Sequence, residues 1–464
     1  MSLDRQQQTP RQRAPMREIV GWAMFDFANQ AYTLLIITVV FNELFTTVIV
    51  GDRNDAYRLG NLLWSVALAV SFLLVVLVSP VCGAIMDQTA SKKRFLFASY
   101  ALTVVTSALL YLVEPGMILL GLVLVILSNF AYSIGESFIA SFLPDLGPPS
   151  DLGWISGFGW ALGYVGGLLA AGFTLVILGE TSSDNFDRIR WVGPFAGGFF
   201  MLAAIPTFLW LRERGVALPR RHGQSYFRMG FERVRDTWSE LRQFRDLAVF
   251  LCSVFFTMAG IYIIIAFAFI YGAQVIGWDT TVRNSMFVVV QVTAALGAVG
   301  FGFLQQRLGA RTTYLLTLGL WVVAIVAIWA TPVITMIMSR LSGHEIEAQW
   351  IFLVVGVLAG TSLGSSQSAS RTLVGLFSPL EKSAEFFGFW GLANKLAGVF
   401  GILGLGLLQM LVGLQAAILF CAALFLVAML ICLLVDQRRG EQVALRWRDR
   451  SRSSSLSARH DPAR

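Results

Sequence analysis

Blocks of about twenty apolar residues, separated by short polar segments, run from residue 19 to residue 435 of the chain. Inside each block Leu, Val, Ala, Phe and Gly follow one another without a period of two, and a bilayer core takes about twenty helical residues to cross. Strands of a membrane barrel would be shorter and alternating. The pattern therefore predicts an all-α polytopic membrane protein of twelve transmembrane helices. They fall near residues 19–50, 61–86, 95–113, 117–143, 154–178, 191–211, 247–272, 284–304, 313–335, 350–377, 384–410 and 414–435. The polar, basic segment Arg212 to Asp246 separates two sets of six. The expected organisation is an N-terminal tail (1–18), a six-helix bundle (19–211), a linker (212–246) that is partly amphipathic helix from Tyr226 onward, a second bundle (247–435) and a basic tail (436–464).

Composition agrees: 56% hydrophobic and 14% charged residues exclude an ordinary soluble protein. Residues 1–18 lack the apolar core and cleavage site of a secretory signal, so the first span is expected to do the targeting. Cys82, Cys252, Cys421 and Cys432 all sit in apolar segments, where cysteine acts as a small hydrophobe. His222, His344 and His460 fall in loops or the tail, which leaves any proton handling to carboxylates. The chain shows no nucleophile with a base, metal-ligand cluster, cofactor motif or phosphate-binding loop. No catalytic residue, metal or cofactor is expected, and neither is ATP-driven pumping.

The charges are sorted by side. With the first residues cytoplasmic, 27 Lys and Arg fall on the side that carries both ends of the chain. The opposite side holds six: Arg53, Arg58, Arg188, Arg190, Arg283 and Arg340. The positive-inside rule then places both termini in the cytoplasm. The net charge of +7 reflects this topology, and no nucleic-acid partner is implied. The basic tail is expected to be solvated and disordered, with anionic headgroups as its alternative contact.

Asp26, Glu136, Arg371 and Lys395 are set inside apolar stretches long enough to span a bilayer. A charge in hydrocarbon survives where it faces a watery cavity, a partner or a bound solute. Asp26 shares a helical face with Asn29, Gln30 and Thr33, and Glu136 shares one with Asn129, Tyr132 and Ser133. The plainer readings are an interhelical hydrogen bond for the first stripe, and a pairing with a backbone amide near Pro144 for Glu136. The tenth span carries Thr361, Ser365, Gln367, Ser368, Arg371 and Thr372 beside a small-residue face of Gly356, Gly360 and Gly364. Arg371 suits a carboxylate or phosphate and could pair with Asp26 or Glu136, although it lies close enough to the helix end to snorkel. Lys395, next to Asn394, is deeper, which favours a buried pair or a solute contact. Trp160, Tyr164 and Trp390 are candidate stacking groups whose plainer role is packing. Glu43, Asn42 and Glu385 are placed at headgroup depth and given little weight.

Twelve spans in two halves joined by a basic linker resemble the major facilitator superfamily, and GAIMDQTASKKR (Gly83 to Arg94) looks like its signature between spans 2 and 3. A weaker echo, GFLQQRLGARTT (Gly302 to Thr313), has Arg307, Gly309 and Arg311 but no Asp. Within the superfamily, three stretches are similar to the unknown major facilitator branch, relatives of the autophagy-related vacuolar effluxer. They are GWAMFDFANQAY (Gly21 to Tyr32), SFLPDLGPPSDLGWISGFGWALGYVGGLL (Ser141 to Leu169) and SQSASRTLVGLFSPLEKSAEFFGFWGLANKLAGVFG (Ser366 to Gly401). This chain has Ile139, Ala140 and Ser141 where the branch carries a Tyr-Asn pair.

The resemblance implies two six-helix halves rocking about a central site, without chemistry. It implies a proton-coupled secondary transporter, with an amino acid or other small charged metabolite as substrate and efflux as direction. The expected binding residues are Asp26, Asn29, Thr33, Tyr132, Glu136, Gln367, Arg371, Asn394 and Lys395. Asp87, Lys92, Lys93 and Arg94 would latch the outward-facing state through ion pairs and contacts with the span 11 dipole. The expected partners are the small-molecule solute, a proton or sodium ion and membrane lipids, for a monomer in a bacterial cytoplasmic (inner) membrane. Transport of a lipid or lipid-linked substrate is the second reading. A non-transporting membrane enzyme or scaffold is the reading from another class.

Overall fold

The computed structural model describes residues 12–51, 57–173, 184–217, 225–239 and 243–447. Twelve helices in it are long and apolar enough to cross a membrane: α1 Met16–Val50, α2 Arg58–Thr89, α3 Lys92–Leu112, α4 Ile118–Asp145, α5 Leu152–Phe173, α6 Phe186–Trp210, α7 Arg245–Ile276, α8 Thr281–Leu308, α9 Ala310–Ser342, α10 Ala348–Phe377, α11 Leu380–Val412 and α12 Leu414–Leu433. Each corresponds to one predicted span. Among the described residues there is no strand. Glycine sets tight ends between helices: Gly309, with φ of +83°, turns the chain from α8 into α9, a conformation that strains residues carrying a Cβ.

The helices pack as two halves, α1–α6 and α7–α12, which meet along two seams. One joins α2 to α11 and the other joins α5 to α8 and α10. Small residues make the close approach possible. Gly83 lies against the Ala384 carbonyl, Gly388 against Ser79 and Pro80, and Gly157 against the Ala298 carbonyl. On the small-residue face of α10, Gly364 meets Ala294 of α8 and Gly360 meets Val290. The contacts between the halves, at Gly83, Gly157 and Gly388, lie toward the end that carries both termini. At the far end Thr38, Ile265 and Phe269 are exposed, so the halves are splayed there. The interior consequently opens away from the termini.

Two details depart from regular spans. In α1 the stretches Thr33–Val39 and Phe45–Val50 are π-helical, wider turns that often mark functional positions. Between the halves, the helix Tyr226–Ser239 lies on α2, with Met229 against Val81 and Ile85. The basic tail also differs from the expected solvated coil. Residues 437–447 are helical, and Arg439 grips Asp246 of α7 with two hydrogen bonds of 2.7 Å. Residues 448–464, the first eleven residues, and 218–224 and 240–242 of the linker lie outside the described residues.

Candidate functional site

A cavity of about 280 Å³ lies between the halves and opens away from the termini. Its wall is largely aromatic and aliphatic, with Phe72, Trp160, Trp278, Phe287 and Trp321 among the large side chains. Into this surface a few polar groups converge. Tyr132 and Glu136 are four residues apart on α4, hence on one face, and the Tyr132 hydroxyl donates to Glu136 Oε1 at 2.9 Å. Thr33, at the start of the π-helical stretch of α1, donates to the Tyr132 oxygen at 2.7 Å. From the opposite half, Lys395 of α11 donates to Glu136 Oε2 at 2.9 Å and to the Tyr262 hydroxyl of α7 at 3.2 Å.

The Lys395 ammonium also lies 5.3 to 5.9 Å from the ring centroids of Phe72, Tyr132 and Tyr262. Aromatic faces attract a cation, and more so when it is removed from water. Lys395 is 6% exposed and Glu136 26%, so the carboxylate is the wetter partner. Elsewhere on the wall Tyr164 of α5 donates to Gln367 of α10, again across the halves. Trp160 Nε1 and Asn394 Oδ1, buried atoms of two residues that border the cavity, have no hydrogen-bond partner among the described residues.

A second ion pair lies below that wall, toward the termini. Arg371 of α10 is 2% exposed, and its Nη1 donates to Asp26 Oδ2 of α1 at 2.7 Å. Its Nε and Nη2 donate to the Ser156 hydroxyl and carbonyl of α5 at 3.1 and 2.9 Å. The guanidinium is sandwiched between the rings of Trp22 at 4.5 Å and Trp160 at 5.2 Å. Gly159 makes room for the pair, since a Cβ there would fall 2.7 Å from Asp26 Oδ2 and 2.8 Å from Arg371 Nη2. Trp160 thus separates a satisfied ion pair beneath the floor from the open cavity above it.

A sequence profile of the vacuole effluxer Atg22-like family matches residues 63–153 and 150–445. The chain belongs to this family. Over 435 residues it is 25% identical to the uncharacterized MFS-type transporter YxiO of Bacillus subtilis (strain 168), covering 92% of this chain and 97% of the relative. It is 24% identical over 324 residues to autophagy-related protein 22-1 of Aspergillus niger, covering 68% of this chain. The match spans about half the length of that fungal relative, 52%. Among solved structures, the proton:xylose symporter XylE has a TM-score of 0.67 at 13% identity, over 93% of this chain and 98% of its own. The bacterial homologue of the iron transporter ferroportin in its outward-facing state has a TM-score of 0.66 at 12% identity, over 90% and 98%. The fold of this Atg22-like protein is accordingly that of the major facilitator superfamily, and the family is one of transporters.

The nine binding candidates of the Atg22-like chain separate into two layers. Thr33, Tyr132, Glu136, Gln367, Asn394 and Lys395 line the cavity, whereas Asp26, Asn29 and Arg371 lie outside its wall. Arg371 does not snorkel; it is held under Trp160. The four latch candidates separate as well. Asp87 crosses the seam, accepting from the backbone N–H groups of Ala384 at 3.1 Å and Glu385 at 2.8 Å in the first turn of the helix Ser383–Val412, where the helix dipole favours an anion. Lys92 crosses it too, donating to the Ser383 hydroxyl at 2.6 Å and pairing with Asp145 of its own half at 3.1 Å. Lys93 donates within its own half to the Leu211 carbonyl at 2.8 Å. Arg94 is exposed, and its side chain has no ion-pair partner among the described residues.

Glu385 is the correction. Expected at headgroup depth, it is fully buried and faces Arg233 of the linker helix at 3.3 Å, while Arg233 also reaches Gln88 and the Glu381 carbonyl. Hydropathy places a residue by depth, whereas here α2 and the linker helix cover the start of α11. Tyr262 and Gln291, both on the cavity wall, were not singled out either. Each is a lone polar group in a long apolar run, and only the facing helix shows what it meets: Lys395 for Tyr262, and the close approach of Gly167 for Gln291.

Proposed function

We propose that this protein is a secondary active transporter that moves an amino acid, or a similar small charged metabolite, outward in exchange for protons. The observation that carries this reading is the Glu136–Lys395 pair, which joins α4 to α11 in the wall of the cavity between the halves. A zwitterion fits both charge signs: its carboxylate takes Lys395, and its ammonium takes Glu136 and the ring faces beside it. Protonated Glu136 can hold neither cation. Proton and solute therefore compete for one carboxylate, which is the linkage an antiporter needs. Asn394, Gln367 and Trp160 orient the solute. Arg371 and Asp26 act beneath the floor by tying the halves together while the termini side is closed.

The same reading assigns the seam residues Asp87 and Lys92 to the latch of that closed side. With both termini in the cytoplasm, as the charge bias supports, the cavity in this structure faces outward. The binding step is tested by thermal unfolding of the purified protein in detergent against amino acids, organic anions, sugars and lipids. A ligand of the native state raises the melting temperature by mass action. Amino acids are expected to stabilise the wild type and to lose that effect in Glu136→Gln and Lys395→Ala. Stabilisation by lipids alone, or amino-acid stabilisation that survives both substitutions, would refute the reading.

A further inference from the structure

The second-half echo of the loop motif folds into a site of its own. With Gly302 set against Gly83, Gln306 stands where the first half has Asp87, so this copy lacks the carboxylate that engages a facing helix. Its arginines are left for something else. A groove of about 670 Å³ opens there, between the α8–α9 turn and residues 433–439 at and beyond the end of α12, on the face that carries the termini. Arg307, Arg311, Arg438 and Arg439 line it, with Asp436 as the acidic member.

Two of these cations are already engaged. Arg439 is paired with Asp246, and Arg311 donates to the Cys432 and Leu433 carbonyls at the end of α12. Arg307 and Arg438 are exposed and make no hydrogen bond or ion pair through their side chains among the described residues. Beside them sit Leu308, Leu433 and Leu434, at 47%, 52% and 62% exposure. Leu308 and Leu433 end spans α8 and α12, so the groove straddles the border between the apolar belt and water.

We propose that this groove binds the phosphate headgroup of an anionic phospholipid. Arg307 and Arg438 donate to the phosphate oxygens, Arg311 forms the rigid back of the site, and the leucines meet the glycerol and the first acyl carbons. Guanidinium forks match phosphate geometry, and basic pockets at helix ends on the positively charged side recognise such headgroups. The leucines decide between sources, since a soluble phosphate ion gains nothing from them.

Native mass spectrometry of the detergent-purified full chain tests this, with phosphatidylglycerol or cardiolipin added and phosphatidylcholine as the neutral comparison. The wild type is expected to retain the anionic lipids over phosphatidylcholine, and Arg307→Ala/Arg438→Ala to retain at least fivefold less at an unchanged melting temperature in phosphatidylcholine. In the wild type, raising the salt to 0.5 M should weaken retention of the anionic lipids alone. Retention unaffected by the double substitution or by salt overturns the site. Displacement of the lipid by millimolar inorganic phosphate overturns the assignment to a lipid.

Discussion

Arg371 stays charged inside the bundle because each of its three guanidinium nitrogens donates to a partner: Asp26, the Ser156 hydroxyl and the Ser156 carbonyl, between two tryptophan faces. Removing one partner of such a pair leaves the other buried and uncompensated, which costs about 3–5 kcal/mol. Arg371→Ala is therefore expected to lower the unfolding free energy by about that amount. Asp26→Asn in the same chain should recover part of it, because paired residues are not additive. Denaturant unfolding of the two single variants and the double variant measures this, and strictly additive losses would contradict the pairing. The four intramembrane charges were legible in the sequence because a charge in hydrocarbon needs a reason. The choice of partner for Arg371 stayed open between Asp26 and Glu136, since Asp26 and Arg371 lie 345 residues apart and no helical spacing links them. Nor did the sequence show that one pair forms the cavity wall while the other lies beneath it.

Among the elements, α2 and α11 meet at the closed end. Gly83 abuts the Ala384 carbonyl, and a Cβ there would also fall 2.8 Å from Glu385 Cα. Backbone cannot yield as a side chain does, so Gly83→Ala forces the seam apart and biases the protein toward opening at the termini side. Spin labels at the exposed positions Ser150 and Thr312, one in each half on that side, should report longer distances in this variant. An unchanged distance distribution would show that the seam does not control closure. The twelve spans were readable because length and apolarity suffice to mark a membrane helix. The docking of the linker helix was not readable, because it rests on Met229 against Val81 and Ile85 and on Arg233 reaching Gln88, Glu381 and Glu385, residues far away in the sequence. The π-helical turns of α1 leave no mark in the residue pattern.

As a whole the molecule is two halves closed at one end around a mostly apolar cavity, with one accessible carboxylate paired to one lysine. The major facilitator fold was legible from span count, linker and loop motif together. Which end stands open was not, because the same residues serve both states of an alternating-access cycle. The account places solute and proton on Glu136 in turn. The measurement that tests it most directly is flux of a labelled amino acid in proteoliposomes, with and without an imposed pH gradient, for the wild type and Glu136→Gln. The account predicts that a gradient with the acid side opposite the solute accelerates wild-type flux and leaves Glu136→Gln without any response to it. Wild-type flux indifferent to the gradient, or an equal response in the variant, would contradict it.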